Sequence, residues 1–173
     1  MAKKNRVNLR VFQQELAARL LAKTAAQVGA ARLGLVSGGQ SWLVRLGDAS
    51  EVLTVPTLIH VPLTQPWFLG LANIRGNLFS VVDFSGFAGR EPTPAGLATR
   101  LLLFGQRFSE LRAALLVQQV LGLRSLSEMQ SAARKDDEPE WVGQAWHDAG
   151  GREWKELDLV RLAQNQRFLT VGL

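Results

Sequence analysis

Arg75 is the side chain with the most chemical capacity, set in the run Asn73-Ile74-Arg75-Gly76. Asparagine and glycine on either side of it suit a tight turn, so the guanidinium is expected beside that turn and projecting outward. Its five donors in a rigid fork suit a carboxylate or a pair of backbone carbonyls. On the residues alone two roles stand level: a contact for a partner, or a structural tie to an acid of the same chain. Catalytic groupings are not found. The two histidines, His60 and His147, are far apart and have no ligand-type neighbour three or four residues away, so a metal site is not expected. Cysteine is absent, which excludes disulfides, thiolate chemistry and Cys-based metal sites. Asp83-Phe84-Ser85-Gly86 lacks the first glycine of a nucleophile elbow. The glycines at 70 and 76 are not followed by the Lys-Ser/Thr of a phosphate loop, and residues 77–83 read as strand where a dinucleotide fold needs a helix. The carboxylate pairs Asp48 with Glu51 and Asp136 with Asp137 fall in stretches expected to be loops, without a base or nucleophile beside them. The expectation is a binding protein with no catalytic residue, no cofactor and no metal.

The elements that position these residues fall into three textures. Residues 8–32 read as an amphipathic helix, with Leu9, Phe12, Leu16 and Leu20 three and four apart and alanines between them. From residue 33 to about 126 the pattern is short apolar runs cut by turn residues. Residues 33–37 and 41–46 flank Gly38-Gly39, a hairpin signal because glycine tolerates the positive φ of primed turns. Further strands are expected at 58–61, 68–72, 78–84, 100–104, 114–118 and 120–123, with a loop over 86–96. Several short strands at this spacing indicate barrels or a sandwich rather than a βαβ fold. Beyond an exposed charged run at 134–140, a hairpin is expected over 141–154, then a short helix around 157–162 and an extended tail at 168–173. The domain reading is 1–32 as a basic helix, 33–165 as the body and 166–173 as a tail.

The chain carries a formal net charge of +5, but unevenly. Residues 1–34 hold seven basic side chains against the single acid Glu15, and the rest holds 13 basic against 14 acidic groups. A nearly neutral body offers no extended basic face for tracking phosphates. No apolar run approaches the roughly 20 residues needed to span a bilayer, and no secretory leader pattern follows the basic N-terminus. The cytoplasm is the expected location. Five Trp and eight Phe with no Tyr, mostly inside apolar runs, read as core rather than as base-stacking platforms.

The most distinctive stretch is Val61-Pro62-Leu63-Thr64-Gln65-Pro66-Trp67-Phe68-Leu69-Gly70-Leu71-Ala72-Asn73-Ile74-Arg75-Gly76, leading into Asn77-Leu78-Phe79-Ser80-Val81-Val82-Asp83-Phe84. It resembles the central signature of CheW-like coupling domains: an aromatic stretch, Gly, Asn-x-Arg-Gly, then a strand ending in Asp-Leu, with Phe84 here in the leucine's place. Its wording is closest to the PilI-type coupling proteins of twitching-motility chemosensory systems. Ser50-Glu51-Val52-Leu53 looks like the family's acidic-apolar element, and residues 114–123 look like its paired strand, with Gln118 where an acid commonly stands.

The resemblance implies a mainly β, CheW-like fold of two small five-stranded SH3-like barrels around a shared core, with an N-terminal amphipathic helix and a short C-terminal helix. It further implies a non-enzymatic adaptor with two partners, the regulatory domain of a chemotaxis histidine kinase and the cytoplasmic tip of a methyl-accepting chemoreceptor. The adaptor would be recruited to membrane-associated arrays without inserting, and would control type IV pilus twitching motility. Glu51, Val52, Leu53, Asn73, Ile74, Arg75 and Gly76 are the partner-binding residues it implies. The rival readings are a small barrel that binds nucleic acid and a membrane-surface adaptor using the basic helix. The first needs a basic face that the body lacks, and the second an apolar stripe wider than the Ala-rich one present.

Overall fold

The computed structural model describes residues 29–173. After helical Gly29 and Ala30, the first described strands are β1 (Ala31–Ser37) and β2 (Gln40–Arg45), joined by Gly38-Gly39. Both glycines have positive φ, 58° and 71°, as a two-residue primed hairpin turn requires. A short 3-10 turn leads to β3 (Ala49–Leu53), β4 (Leu58–Ile59), β5 (Phe68–Ile74) and β6 (Asn77–Asp83). A one-turn helix α1 (Phe84–Phe87) precedes β7 (Arg100–Phe104), β8 (Ala113–Val117) and β9 (Gln119–Ser125). Then come β10 (Gln130–Ala132), β11 (Val142–His147), β12 (Glu153–Leu157), α2 (Leu159–Gln164) and α3 (Gln166–Leu169).

These strands make two six-stranded sheets, ordered β10-β11-β12-β2-β1-β9 and β3-β7-β8-β6-β5-β4. Each consists of two antiparallel triplets joined by one parallel pairing, β12 with β2 in the first and β6 with β8 in the second. The second sheet is an insertion in the first: the chain leaves after β2, completes β3 to β8, and returns at β9 to pair with β1. The mainly β, two-subdomain architecture is as expected. The strand count differs, since each sheet pairs six strands in an open order rather than five in a closed barrel.

Several local expectations change for identifiable reasons. The stretch of Asp48 and Glu51, expected to be loop, contains a strand, β3, because it pairs with β7, Glu51 opposite Leu103. The strand expected to run to Phe84 stops at Asp83, whose carboxylate accepts from the Ser85 N–H at 3.1 Å and caps α1. The same buried carboxylate accepts from Thr93 N at 2.8 Å and Thr93 Oγ1 at 2.6 Å, tying down the proline-containing loop. The tail expected to be extended from 168 opens instead inside α3, capped by Asn165 Oδ1 on Phe168 N. Only its last residues extend, with Gly172 bridged to Thr64. The helix expected over 8–32 lies outside the described residues as far as 28, and Ala31 and Arg32 belong to β1.

The principal core lies between the sheets and is aromatic. Phe87 of α1 meets Trp67 at 5.2 Å, Phe168 of α3 at 5.4 Å and Trp141 at 5.8 Å, centroid to centroid. Trp42 of β2 and Phe84 extend the cluster on one side, and Phe104 with Phe108 on the other. Edge-to-face pairs of this kind add about 0.5–1.5 kcal/mol each beyond the area they bury. Period-2 alternation explains the continuous apolar runs of β7 and β8. Leu102, Phe104, Leu115 and Val117 face this core, while Leu101, Leu103, Ala114 and Leu116 face a second, smaller one. Trp67, Trp141 and Trp154 are core residues as expected, whereas Trp146 is half-buried.

Two fold-level outcomes are expected. Gly70 has φ 117°, and a Cβ there would come within 2.1 Å of the Ile59 carbonyl oxygen, a backbone atom that cannot swing aside. Gly70→Ala should therefore cost about 3 kcal/mol, lowering the melting temperature by about 6–12 °C in calorimetry; a loss under 1 °C would contradict the close approach of β4. Asp148, in the turn before β12, accepts from Trp154 Nε1 at 2.9 Å and from the backbone N–H of Arg152 and Gly150. The Trp154 bond, then the Arg152 one, hold its carboxyl below the ordinary aspartate value of 3.8. A depressed carboxylate stabilises the fold above its unfolded pKa and loses that contribution as pH falls through the folded value. Asp148→Asn should thus melt lower than the parent at pH 7, with the gap closing below pH of about 3.8; a pH-independent gap would dismiss the carboxylate's role.

Candidate functional site

The β5–β6 hairpin closes at Ile74 opposite Asn77, leaving Arg75 and Gly76 as its two turn residues. Both have positive φ, 52° and 81°. A left-handed arginine costs about 1 kcal/mol relative to glycine, and the surrounding hydrogen bonds hold it there. Asn73 Oδ1 accepts from Gly76 N at 2.9 Å, and Asn77 Nδ2 reaches the Arg75 carbonyl at 3.5 Å.

From this turn Arg75 Nη2 donates to Glu51 Oε1 at 2.6 Å. The contact is informative about shape, because β3 is separated from β6 in the sheet by β7 and β8. Edge strand and hairpin tip can meet only if the second sheet curls round on itself. Inside the curl sits the smaller core, where Leu53 of β3 and Ile74 of β5 both pack. Exposed ion pairs contribute only about 0–1 kcal/mol, so apolar packing rather than this pair holds the curl shut. The Arg75 side chain is 74% exposed and that of Glu51 32%. Arg75 is therefore tied to an acid of its own chain and still presents most of its surface to solvent.

The seven expected site residues thus converge on one corner, in different ways. Glu51, Asn73, Arg75 and Gly76 form the polar corner itself. Val52 is exposed beside Glu51, whereas Leu53 and Ile74 are half-buried and directed to the inner core. Leu78, half-exposed on β6 just past the turn, is an apolar neighbour the sequence did not single out.

A groove of about 690 Å³ adjoins the corner, between the hairpin, the start of β3 and the connection from β7 to β8. Phe79, Leu103, Phe108 and Leu111 line it, with Arg75 and Arg112 among its polar groups. The connection is held from below. Gly105 N donates to the Asp48 carbonyl at 2.8 Å, and the buried Asp48 carboxylate accepts from Arg107 Nη1 at 2.6 Å. Phe108 packs against Phe104 at 5.3 Å, joining the groove wall to the main aromatic core. Residues 105–112 were not among the expected site residues; their available signal was Phe108 and Leu111, two apolar side chains three apart in an otherwise polar connection.

Chemically, the corner combines an exposed guanidinium, a half-satisfied carboxylate and an apolar groove. That combination can grip protein side chains of both kinds. Among the described residues no three His, Asp or Glu side chains are grouped to hold a metal, and no helix is long and apolar enough to cross a membrane.

Comparison with known proteins places this geometry. Protein PilI of Pseudomonas aeruginosa is 28% identical over 165 residues, spanning 92% of this chain and 90% of PilI. The crystal structure of the scaffolding protein TtCheW from Thermoanaerobacter tengcongensis matches with a TM-score of 0.62 at 15% identity, over 75% of this chain and 88% of that one. Residues 33–167, most of the chain and including both sheets, match the CheW-like domain. The chain belongs to the CheW-like domain family.

Proposed function

We propose that this CheW-like protein is an adaptor that couples a chemoreceptor to a chemotaxis-type histidine kinase, with the Glu51–Arg75 corner and its groove as a contact surface. It acts by binding, without catalysis. The observation that carries the reading is the CheW-like match over residues 33–167, joined to a relative, PilI, aligned over nine-tenths of both chains. On this reading the output is twitching motility, as the resemblance of residues 61–84 to PilI-type coupling proteins implies, and the protein acts in the cytoplasm at membrane-associated arrays.

The corner has the composition such an interface needs. Affinity in protein interfaces comes from apolar anchors within a polar rim, here the groove residues Phe79, Phe108 and Leu111 with Glu51, Arg75 and Arg112 around them. Rim charges chiefly set on-rate and partner choice, the role open to the solvent-facing part of Arg75. The nearly neutral body of the chain lacks the basic face that a nucleic-acid partner would need.

Arg75→Glu should weaken binding to the kinase regulatory domain or to a receptor tip fragment by about tenfold or more in titration calorimetry. The melting temperature should change by less than about 3 °C, because the lost pair is exposed. The charge swap Glu51→Arg with Arg75→Glu separates two roles. It rebuilds the internal pair, so recovered affinity would mean that Arg75 only braces the turn, while persistent weakness means that its guanidinium touches the partner. Unchanged affinity in Arg75→Glu removes the corner from the interface. A pull-down that returns nucleic acid, lost at high salt and indifferent to Arg75, would overturn the adaptor reading altogether.

A further inference from the structure

The first sheet carries a second concavity, of about 330 Å³, that is separate from the Glu51–Arg75 corner. It opens at a bulge in β11. Val142 pairs with Leu157 and Ala145 with Lys155, so Gly143 and Gln144 together face Glu156. Glycine at 143 leaves the room, since a Cβ there would sit 3.1 Å from that of Glu156. Three arginines line the pocket: Arg45 at the end of β2, Arg134, and Arg161 of α2.

The carboxylates in the pocket are already matched. Glu156 Oε1 pairs with Arg32 Nε at 2.8 Å, both side chains being nearly buried. Asp158 Oδ1 accepts from the N–H groups of Val160 and Arg161 to cap α2, and its Oδ2 lies 3.7 Å from Arg161 Nε. Arg45 and Arg134 remain, and among the described residues neither meets a carboxylate within 4.0 Å. Arg134 Nη2 donates to the carbonyls of Glu138 and Pro139 at 2.6 and 3.0 Å. Its Nε is shut off from solvent with no acceptor among the described residues. A buried guanidinium N–H of this kind is held at a cost unless an acceptor meets it.

We propose that this pocket binds a phosphate-type oxyanion. Two guanidiniums without carboxylates match the charge of a dianion, and the arginine fork matches its oxygens. Arg134 lines one side of the site, and Arg45 closes it from the end of β2. The same chemistry is offered by free phosphate and by a phosphorylated side chain of a protein partner.

The test is an amide and arginine-Nε NMR titration of the whole chain with sodium phosphate, phosphoserine, and sodium chloride at matched ionic strength. Phosphate should produce saturable shifts at Gly143, Gln144 and Arg134 Nε below about 10 mM, while the Asn73–Gly76 signals stay in place. Arg134→Gln and Arg45→Gln should each weaken that binding about tenfold. Arg45 makes no side-chain hydrogen bond among the described residues and is exposed, so its replacement tests the site without disturbing the 134–140 loop. Tighter binding of phosphoserine than of phosphate would assign the oxyanion to a phosphorylated partner, and the reverse to the free ion. Shifts that fail to saturate, that chloride reproduces, or that persist at full affinity in Arg45→Gln would overturn the proposal.

Discussion

The meeting of Phe87 with Trp67 and Phe168 edge-on, and with Trp141 at a tilt, is the contact around which the two sheets are organised. These rings arrive from the approach to β5, from the approach to β11, and from α1 and α3, so no single sheet owns the core. Trp42 brings β2 into it through Phe84, and Phe104 brings β7 into it by stacking on Phe168. A chain of ring contacts therefore runs from the first sheet to Phe108 at the wall of the groove. The groove is shaped by the same packing that joins the subdomains, which is why so long a connection as that between β7 and β8 can form a fixed wall of it.

Electrostatics plays a different part. The principal ion pairs join segments that are distant along the chain. Asp48 with Arg107 holds the β7–β8 connection against the residue before β3, and Arg32 with Glu156 holds β1 to β12 across β2. Lys155 with Glu138 secures the charged loop before β11. The Arg75–Glu51 pair is the most exposed arginine among them and rests on a left-handed residue. Strain and exposure thus coincide at one position, the tip of the β5–β6 hairpin.

Much of this was legible in the sequence because burial on both faces leaves a strong imprint. β7 and β8 read as unbroken apolar runs, and Gly38-Gly39 announced the first hairpin. Arg75-Gly76 announced a turn, and the structure puts a primed turn there. What stayed hidden depends on sheet order rather than on local pattern. Glu51 and Arg75 are 24 residues apart, and nothing local says that an edge strand and a hairpin tip close on each other. β3 is too short and polar to declare itself, and it becomes a strand only because β7 offers a ladder. α3 was hidden because Phe168 looked like one more extended apolar residue, whereas Asn165 caps a turn that aims it inward. The arginine-lined pocket was invisible for the same reason, since Arg45, Arg134 and Arg161 come from three separate segments.

The insertion of the second sheet between β2 and β9 has a consequence in time. Residues 49–117 hold all the strands of the second sheet in one continuous stretch, so its pairings close relatively short loops. The first sheet has no such continuity: Leu35 pairs with Val120, and Ser41 with Trp154. Pairings so distant along the chain carry a higher closure entropy and form late. During synthesis the β1–β2 hairpin leaves the ribosome first yet finds its partners last, with Leu35 and Trp42 uncovered meanwhile. The inserted sheet then serves as the surface on which its host is assembled, and the vulnerable interval in the protein's life is the wait of that opening hairpin.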